Sequence, residues 1–592
     1  MTTNKNKLNV DDETLRELKN AADEIHEIAY ELGLSPPKVN YWLVDHDEIN
    51  QLAAYDGFQV RYPHWRWGMK YERRRKQDTY LGGKIFELVN HDTPANAFNQ
   101  VSNSVDDHKG VIAHVEAHAD FFDNNYYFEN KPNAAEMLER HAKIIESYYE
   151  DPNLNQEKIE EWIDCILCID STIDPIKGYS DIDSEKKEID EPTIEDKLNS
   201  LDVSDEVKRH VFNDLGKDEN NAESDSLEPD VLAFLLKHGK QYNTDTQKAE
   251  DYEDWQKSIL KMLRREAYYF APQARTKIMN EGWAAFWESI IMANEAYAQP
   301  DEIIQYADKQ SSVLASPGFN PYKIGKELWE YIENEVNRKE VIDKLLRVKG
   351  ITWRNFSEVI NIKEVNKILD ENRDMSVPYE RNYSLLRNQN RGFILSISQE
   401  ELKDISRYMF DDEKYDSIED ALEDVDYERG WAKMREIRET HNDITFIDAF
   451  LTEEFITDQK YFAYEHNPQT GKMEVSGTDL ESVKKKLLLQ ITNSGKPKVV
   501  AADKNYNNSG HLLLKHQYNG VPMNLTKAKK VLKKIFELWG RPVHLKTIKK
   551  EDNIEEGVLI SYDGERITEK EISYEDIKAD EIDYDTKPDE WL

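Results

Sequence analysis

The sequence predicts an α+β protein of several domains, in which a large, mainly α-helical N-terminal domain is followed by a small two-layer α+β domain. The length of 592 residues exceeds that of one typical domain. Apolar residues recur at helical spacing before residue 440, whereas residues 460–547 contain short segments in the order β-α-β-β-α-β. The hydrophobic fraction of 39% is enough to build cores, which excludes a wholly disordered chain.

The N-terminal domain is predicted in two parts, residues 1–175 and residues 251–440. The first helix should end at Gly33, just before two prolines. Residues 84–90 (KIFELVN) alternate apolar and polar side chains, which indicates a short strand. Helical spacing is found at residues 12–34, 109–170, 251–299 and 322–347.

Residues 176–250 are predicted to be an acidic insertion or linker between these two parts. They are rich in Asp, Glu, Ser and Asn and poor in aromatic residues, with a short helix at residues 230–238. We expect this segment to be a mobile excursion outside the core, so deleting most of it should leave the rest folded.

The C-terminal domain, residues 441–592, is predicted to fold separately and to serve binding rather than chemistry. Two strands, 498–503 and 511–518, flank a turn, and a helix that ends at Gly540 leads into a further strand at residues 542–547. The side chains expected to pack helices onto the sheet are Leu487, Leu489, Val531, Leu532, Ile535 and Trp539. An edge hairpin and an acidic tail should follow.

The charge, the cysteine count and the missing motifs exclude several classes of function and favour others. The net charge of −39 argues against nucleic acid or an anionic membrane as the main partner, and it suits a halophilic source. Two cysteines favour a reducing compartment. The absence of a signal-type segment and of an 18-residue apolar stretch predicts a cytoplasmic protein without membrane insertion. No phosphate-binding, dinucleotide-binding or serine-hydrolase motif is found in the sequence.

The sharpest candidate site is a metal centre. His114 and His118 are four residues apart on a predicted helix, so they share one face and can bind the same ion. Much later, Asn-Glu-Gly-Trp-Ala at residues 280–284 resembles the N-E-G-F-A segment of gluzincin metallopeptidases, in which the glutamate is the third zinc ligand. His114, His118 and Glu281 would form a gluzincin-like centre for zinc or another divalent metal, with an open position. The alternative is that these histidines only pack helices.

The segment departs from gluzincins at the general base. In gluzincins a glutamate directly follows the first histidine, whereas this chain has Val115 there, and Glu116 should point to the far side of the helix. A base must then come from elsewhere, with Glu266 or His141 as candidates, and Tyr269 could donate a proton. For His141 the alternatives are a fourth metal ligand or an ordinary helix histidine.

Two further segments have alternative interpretations. Residues 59–76 (QVRYPHWRWGMKYERRRK) interleave arginines with Tyr62, Trp65 and Trp67, which suits either a charged polymer or an internal surface that docks acidic parts of the chain. Cys165 and Cys168 could be a redox or metal pair, but without partners they are expected to fill the core.

Several blocks together resemble the stage V sporulation protein R (SpoVR) family. They include GFQVRYPHWRWGMKYE, IAHVEAHADFFDNNYYF, EAYYFAPQARTKIMNEGWAAFW and GHLLLKHQYNGVPMNL, and they lie within residues 12–175, 251–340 and 440–547. The resemblance implies a role in sporulation-like, stress or envelope physiology. It also implies a PrkA-type serine kinase and a von Willebrand factor A-like protein as partners.

Two functions therefore stay open. The first is a metal-dependent, hydrolase-like protein that lacks the usual base. The second is a non-enzymatic regulatory or scaffold protein that acts with a serine kinase system, in which any metal is structural.

Overall fold

The computed structural model describes fifteen parts of the chain. They are residues 10–81, 87–92, 94–129, 133–174, 179, 227–243, 245–246, 248–292, 319–371, 397–407, 413–426, 428–467, 472–491, 495–551 and 554–578. The fold is mixed α+β, with a mostly helical N-terminal region and a sheet in the C-terminal region. Within the described parts, no helix is long and apolar enough to cross a membrane.

The helices and strands follow one another along the whole described chain. The helices are α1 (Asp12–Glu31), α2 (His46–Ala54), α3 (Trp65–Leu81), α4 (Val105–Asn124), α5 (Ala134–Glu150), α6 (Gln156–Leu167), α7 (Val231–His238), α8 (Asp254–Arg275), α9 (Lys277–Met292), α10 (Pro321–Leu346), α11 (Phe356–Val359), α12 (Ile362–Glu371), α13 (Gln399–Ser406), α14 (Ile418–Glu423), α15 (Arg429–Thr440), α16 (Asp443–Phe450), α17 (Glu453–Asp458), α18 (Leu480–Ile491), α19 (Leu525–Trp539) and α20 (Tyr574–Lys578). The strands are β1 (Val39–Val44), β2 (Glu87–Asn90), β3 (Ala95–Gln100), β4 (Gln241–Asn243), β5 (Lys248–Glu250), β6 (Ala463–Asn467), β7 (Lys472–Gly477), β8 (Val499–Tyr506), β9 (His511–His516), β10 (Val543–Glu551), β11 (Ile554–Tyr562) and β12 (Ile567–Ile572).

The predicted helices are present. Helix α1 stops before Gly33, whose φ of 84° only glycine adopts without strain. Helices α4, α5 and α6 occupy the stretch predicted to be helical before residue 170, and α8, α9 and α10 occupy the later ones.

A small mixed sheet in the N-terminal region was only partly predicted. Its strand order is β1-β3-β2, with β1 parallel and β2 antiparallel to β3. Only β2 was expected from the sequence. Helix α4 lies between this sheet and helices α1 and α9, so its side chains are buried on almost every face.

The main core lies where α1, α4, α9, α10, α15 and α16 meet. Its largest side chains are Trp283, Trp287, Trp329, Trp431 and Phe446, each 1% exposed or less. Burial on this scale stabilises the helix packing, since one fully buried large apolar side chain contributes roughly 1.5–3 kcal/mol.

The predicted topology of the C-terminal unit is wrong in part. Five strands form one sheet in the order β12-β11-β10-β9-β8, whereas β6 pairs with β7 in a separate hairpin. Helix α18 also packs away from the sheet, because Val483 and Leu487 lie in the main core. The predicted β8–β9 hairpin, the end of α19 at Gly540 and the edge hairpin β11–β12 are confirmed.

The C-terminal sheet does not have a core of its own. Leu532, Ile535 and Trp539 of α19 pack on it as predicted. The same buried cluster continues into N-terminal helices through Trp162 of α6 and Ile259 of α8. The sheet and these helices therefore stabilise one another.

The expectation that residues 176–250 stand outside the core does not hold for residues 227–243. Val231, Leu232 and Leu235 of α7 are at most 1% exposed and belong to the cluster under the C-terminal sheet. Asp230 caps α7 and forms a buried ion pair with Arg264, at 2.8 Å. Residues 175–178 and 180–226 lie outside the described residues.

Candidate metal centre

Helix α4 positions two of the predicted ligands. It begins with a capping box, in which the Asp107 backbone N–H donates to Ser104 Oγ and the Ser104 N–H donates to Asp107 Oδ2. His114 and His118, one turn apart, face α9, and both are buried.

Helix α9 positions the third ligand. The buried Asp443 carboxylate accepts the N–H groups of Ile278 and Met279, both at 2.9 Å, and so caps the start of α9. One turn later, Gly282 faces Gly325 of α10 so closely that a Cβ on Gly282 would lie 2.3 Å from the Gly325 carbonyl carbon. Because both residues are glycines, the two backbones approach and Glu281 is brought towards α4.

A buried ion pair fixes α4 against α9 and α15. The Asp120 carboxylate accepts from Arg438 Nη1 at 2.6 Å and from Trp283 Nε1 at 2.9 Å. Asp120 is fully buried and Arg438 is 3% exposed, so removing either charge would leave the other uncompensated. The aspartate of the HVEAHAD segment therefore has a structural role.

The structure brings His114, His118 and Glu281 together. Glu281 Oε2 lies 3.8 Å from His114 Nε2 and 3.4 Å from His118 Nε2. The three ligand atoms lie within 4.8 Å of one another, and no other group of this kind is found in the described parts of the chain. The predicted convergence of α4 and α9 is confirmed. That the three side chains hold a metal stays a prediction.

The three side chains fit a metal ion. Ligand atoms at about 2.0–2.2 Å from a tetrahedral zinc ion lie roughly 3.3–3.6 Å apart, close to the separations seen here. Glu281 Oε2 is buried and accepts no hydrogen bond within the described structure. A buried carboxylate oxygen without a donor is costly, and a cation between the two imidazoles would satisfy it.

The outer nitrogens of both imidazoles have acceptors. His114 Nδ1 lies 2.8 Å from Glu288 Oε2, and His118 Nδ1 lies 2.8 Å from Asn280 Oδ1. If each Nδ1 donates its proton to that oxygen, the lone pair of Nε2 faces Glu281 and is available to a metal. On the other side, Lys277 Nζ donates to Glu281 Oε1 at 2.6 Å, which leaves Oε2 as the ligand atom.

The charges at the centre are strongly coupled. Burial lowers the pKa of His114, but the carboxylates of Glu281 and Glu288 outweigh it and raise that pKa to about 10. Burial raises the pKa of Glu281, yet its histidine and lysine partners hold it well below the ordinary value. In the metal-free protein, a proton on His114 therefore takes the place of the cation.

Two further groups face the ligands. Burial raises the pKa of the Glu87 carboxyl in β2, which lies within electrostatic range of His114, His118 and Glu281. The Tyr322 ring of α10 stacks on His114 with centroids 6.2 Å apart. Burial, followed by Glu281 and Glu87, raises the pKa of the Tyr322 hydroxyl, so it stays protonated at neutral pH.

The predicted base and proton donor have other partners. Glu266 Oε2 accepts from Arg61 Nη2 at 2.7 Å, and Glu266 Oε1 lies 3.0 Å from His141 Nδ1. Tyr269 donates to the His91 carbonyl at 2.6 Å. None of these three contacts involves His114, His118 or Glu281, and a role of Glu266, His141 or Tyr269 as base or proton donor stays a prediction.

Glu116 points away from the centre, as the helix geometry predicted. It is 2% exposed, accepts from Tyr41 at 2.7 Å and lies 2.8 Å from His26 Nδ1. The usual gluzincin base is therefore absent from its usual place on this helix.

Sequence reasoning missed several residues of the centre. Glu288 follows Glu281 by seven residues, two helical turns, so helix spacing could have indicated it. Asn280 lies directly before Glu281. Glu87 and Tyr322 come from β2 and α10, and no local pattern relates them to the histidines.

The two other segments of interest have internal roles. Arg61 is buried against Glu266 and stacks over Trp67, at 4.6 Å from its ring centroid, and Arg66 pairs with Asp170 at 3.9 Å. These contacts favour the internal docking interpretation for this pair of arginines. Cys165 is buried and burial raises its pKa to about 12, whereas Cys168 is exposed, so the expectation that both fill the core is wrong for Cys168.

Comparisons with known proteins agree with the resemblance. Residues 12–425 and 396–496 match the SpoVR like protein family, and residues 497–550 match the SpoVR-like C-terminal domain. The first match includes the acidic segment that the sequence blocks had left out. The residues beyond 550 stay outside both matches.

A relative from Escherichia coli (strain K12), named Uncharacterized protein YcgB, is 24% identical over 335 residues. The match covers 52% of this chain and 62% of the relative, so the chain spans less than two thirds of that protein. No solved structure matches. The family matches cover most of the sequence, and the chain belongs to the SpoVR-like protein family.

Proposed function

We propose that this SpoVR-like protein is a metal-dependent hydrolase with zinc held by His114, His118 and Glu281. The observation that carries the proposal is the approach of the buried Glu281 Oε2 to both Nε2 atoms, at 3.8 and 3.4 Å. Two imidazoles and one carboxylate form the ligand set of catalytic zinc sites that keep an open position.

The surrounding side chains have roles that suit hydrolysis. A bound zinc ion would supply an acidic water and polarise a carbonyl oxygen. Glu87 would accept the proton of the attacking water, since its carboxyl has a raised pKa and lies within electrostatic range of the ligands. Tyr322 would donate a hydrogen bond to the developing oxyanion. Lys277 would hold Glu281 to one ligand oxygen.

A second candidate function is non-enzymatic and regulatory or scaffold-like, in which any metal ion is structural. Val115, fully buried, occupies the place of the gluzincin base, and Glu116 is engaged by His26 and Tyr41. In this alternative the protein acts with a PrkA-type serine kinase and a von Willebrand factor A-like protein. For both candidate functions, the proposed physiological role lies in sporulation-like, stress or envelope processes.

Metal analysis of the full-length protein tests the centre. We expect about one zinc per wild-type chain, and loss of the metal in His118→Ala. The matched control His238→Ala, on α7, where the ring packs edge-on against Phe234, should keep it. Wild-type protein that holds no metal after incubation with zinc would overturn the hydrolase.

Hydrolysis separates the two versions. Zinc-loaded protein would be assayed with 4-nitrophenyl acetate and a mixture of internally quenched peptides. Turnover that falls at least 100-fold in Glu87→Gln, with zinc content unchanged, supports the hydrolase. Bound zinc without turnover of either probe would favour the regulatory function.

A further inference from the structure

A cavity of about 360 Å³ lies on the side of α4 opposite the metal centre. It is formed by α1, α4 and the edge of the N-terminal sheet. Along α4 it is lined by His108, Ile112 and Glu116, which are spaced one turn apart on a different face from the two ligand histidines. Cavities of this size are typical of small-molecule sites.

The walls of the cavity are mainly apolar. Most of the apolar side chains that line it are only half-buried, so part of their surface faces the cavity or water. The apolar lining consists of Leu15, Leu18, Ala22, Val39, Leu43 and Ile112. An apolar ligand body would cover this surface.

The cavity also contains a buried amide without a partner. Asn99 of β3 is 2% exposed, lines the cavity, and its Oδ1 accepts no hydrogen bond from the described residues. An unsatisfied buried polar atom destabilises the fold unless water or a ligand meets it. The amide therefore marks a polar contact point in an otherwise apolar wall.

The charges at the rim favour an anion. Lys19 and Lys38 are exposed, line the cavity, and form no ion pair with any residue that the structure describes. Asp23 is the one acidic side chain beside them, because the Glu116 carboxylate is already bound by His26 and Tyr41. In a chain with a net charge of −39, such a cationic rim around an apolar cavity is distinctive.

We propose that this cavity binds an amphipathic organic acid, in which an apolar body of medium fatty-acid length lies against α1, β1 and α4. Its carboxylate lies between Lys19 and Lys38, and Asn99 Oδ1 accepts a hydrogen bond from a water that the bound molecule traps. This site is independent of the metal centre, since none of the groups lining it is a proposed metal ligand.

Calorimetric titration of the full-length protein with decanoate tests the site, with decan-1-ol and decylamine as head-group controls. We expect decanoate to bind with a dissociation constant in the micromolar range and decylamine to bind at least tenfold more weakly. Lys19→Glu combined with Lys38→Glu should weaken decanoate at least tenfold and leave decan-1-ol unchanged. Arg16→Glu, exposed on the same helix, is the charge control.

A second variant tests the cavity itself. Ala22→Trp places an indole in the cavity and should abolish decanoate binding, whereas Asn20→Trp, exposed on α1, should not. Hydrogen exchange of wild-type protein provides a test without variants, since decanoate should slow exchange in α1 and β1. Absence of decanoate binding, equal binding in Ala22→Trp, or protection elsewhere only would overturn the proposal. Equal binding of all three head groups would overturn its anionic specificity.

Discussion

The side chains behind the two imidazoles decide what His114 and His118 can do. A histidine binds a metal only when the nitrogen that faces the ion carries no proton. Asn280 Oδ1 and Glu288 Oε2 each lie 2.8 Å from an Nδ1 atom, which favours the tautomer with a free Nε2. Such outer contacts commonly change metal affinity about 10- to 100-fold.

Asn280→Ala should therefore weaken zinc binding by about 10- to 100-fold without unfolding the protein. Asn280→Asp keeps an acceptor for His118 Nδ1 and should restore most of the affinity. Competition with a chromogenic chelator measures both. Ser289→Ala, which removes a hydroxyl bonded to the Phe286 carbonyl on the same helix, is the control and should bind zinc normally. Equal affinity in Asn280→Ala would contradict the role of this contact.

The affinity for zinc should rise with pH. His114 has a pKa of about 10 in the metal-free protein, so binding must release its proton at neutral pH. Between pH 7 and 9 the apparent affinity should increase by about tenfold per pH unit, after correction for the chelator. In Glu288→Gln, which removes a carboxylate that raises this pKa, the rise should end at lower pH.

Protonation of His114 also affects folding stability, which should fall as pH rises, whereas the affinity for zinc should increase. The folded pKa of about 10 lies above the ordinary value of 6.5, so the stabilisation by protonated His114 is complete below pH 6.5. It is lost as pH rises towards 10. Metal-free protein should therefore lose stability over this range, and saturating zinc should reduce the loss. Thermal melts of both forms at several pH values would show it.

At the scale of elements, the centre depends on how closely α9 and α10 approach. Gly282 and Gly325 touch through their backbones, and Tyr322 lies one turn before Gly325 on the facing helix. The same crossing thus places Glu281 and Tyr322 near each other. A side chain at either glycine would force the two helices apart.

Gly282→Ala should lower the free energy of unfolding by about 1–3 kcal/mol, because the added Cβ would lie 2.3 Å from a backbone carbon. It should also weaken zinc binding, since Glu281 moves with the helix. Gly68→Ala is the matched control: this glycine lies inside α3, and a Cβ added there would have nothing within 4 Å, so the change should stabilise by about 0.5–1 kcal/mol. Chemical denaturation curves of the two variants measure both changes in the free energy of unfolding. Equal changes in Gly282→Ala and Gly68→Ala would exclude the close crossing of α9 and α10.

At the scale of the whole molecule, the C-terminal sheet belongs to the same structure as the helices before it. Trp162, Leu232 and Ile259 are in one buried cluster with Leu512 and Ile560 of the sheet. If they were separated, both the sheet and these helices would expose this apolar surface. The region is a sheet unit in topology but depends on N-terminal helices for its core.

A fragment of residues 440–592 should therefore not fold alone, contrary to what its pattern suggests. We expect no cooperative thermal transition and strong binding of a hydrophobic dye, because the sheet loses α6, α7 and α8. Adding a separately expressed fragment of residues 1–439 should restore a cooperative transition. A soluble fragment that melts cooperatively by itself would show that α19 and the sheet suffice.

Local patterns in the chain were sufficient to predict the helices, several C-terminal strands and the three candidate ligands. Helix periodicity, Gly33, Gly540 and the four-residue spacing of two histidines are features of neighbouring residues, and local geometry follows from them directly. The glutamate at 281 was found through a local segment of five residues.

Tertiary packing alone decides which groups complete the centre and which elements share a core. Glu87 and Tyr322 reach the histidines from separate elements, while Glu266 is held by Arg61 instead. The partner of a buried charge depends on which distant helices meet, and periodicity shows that a face is apolar without showing what covers it. For the same reason, the sequence predicts the wrong packing for α18 and α7. Their apolar faces are clear in the sequence, but their packing partners are not.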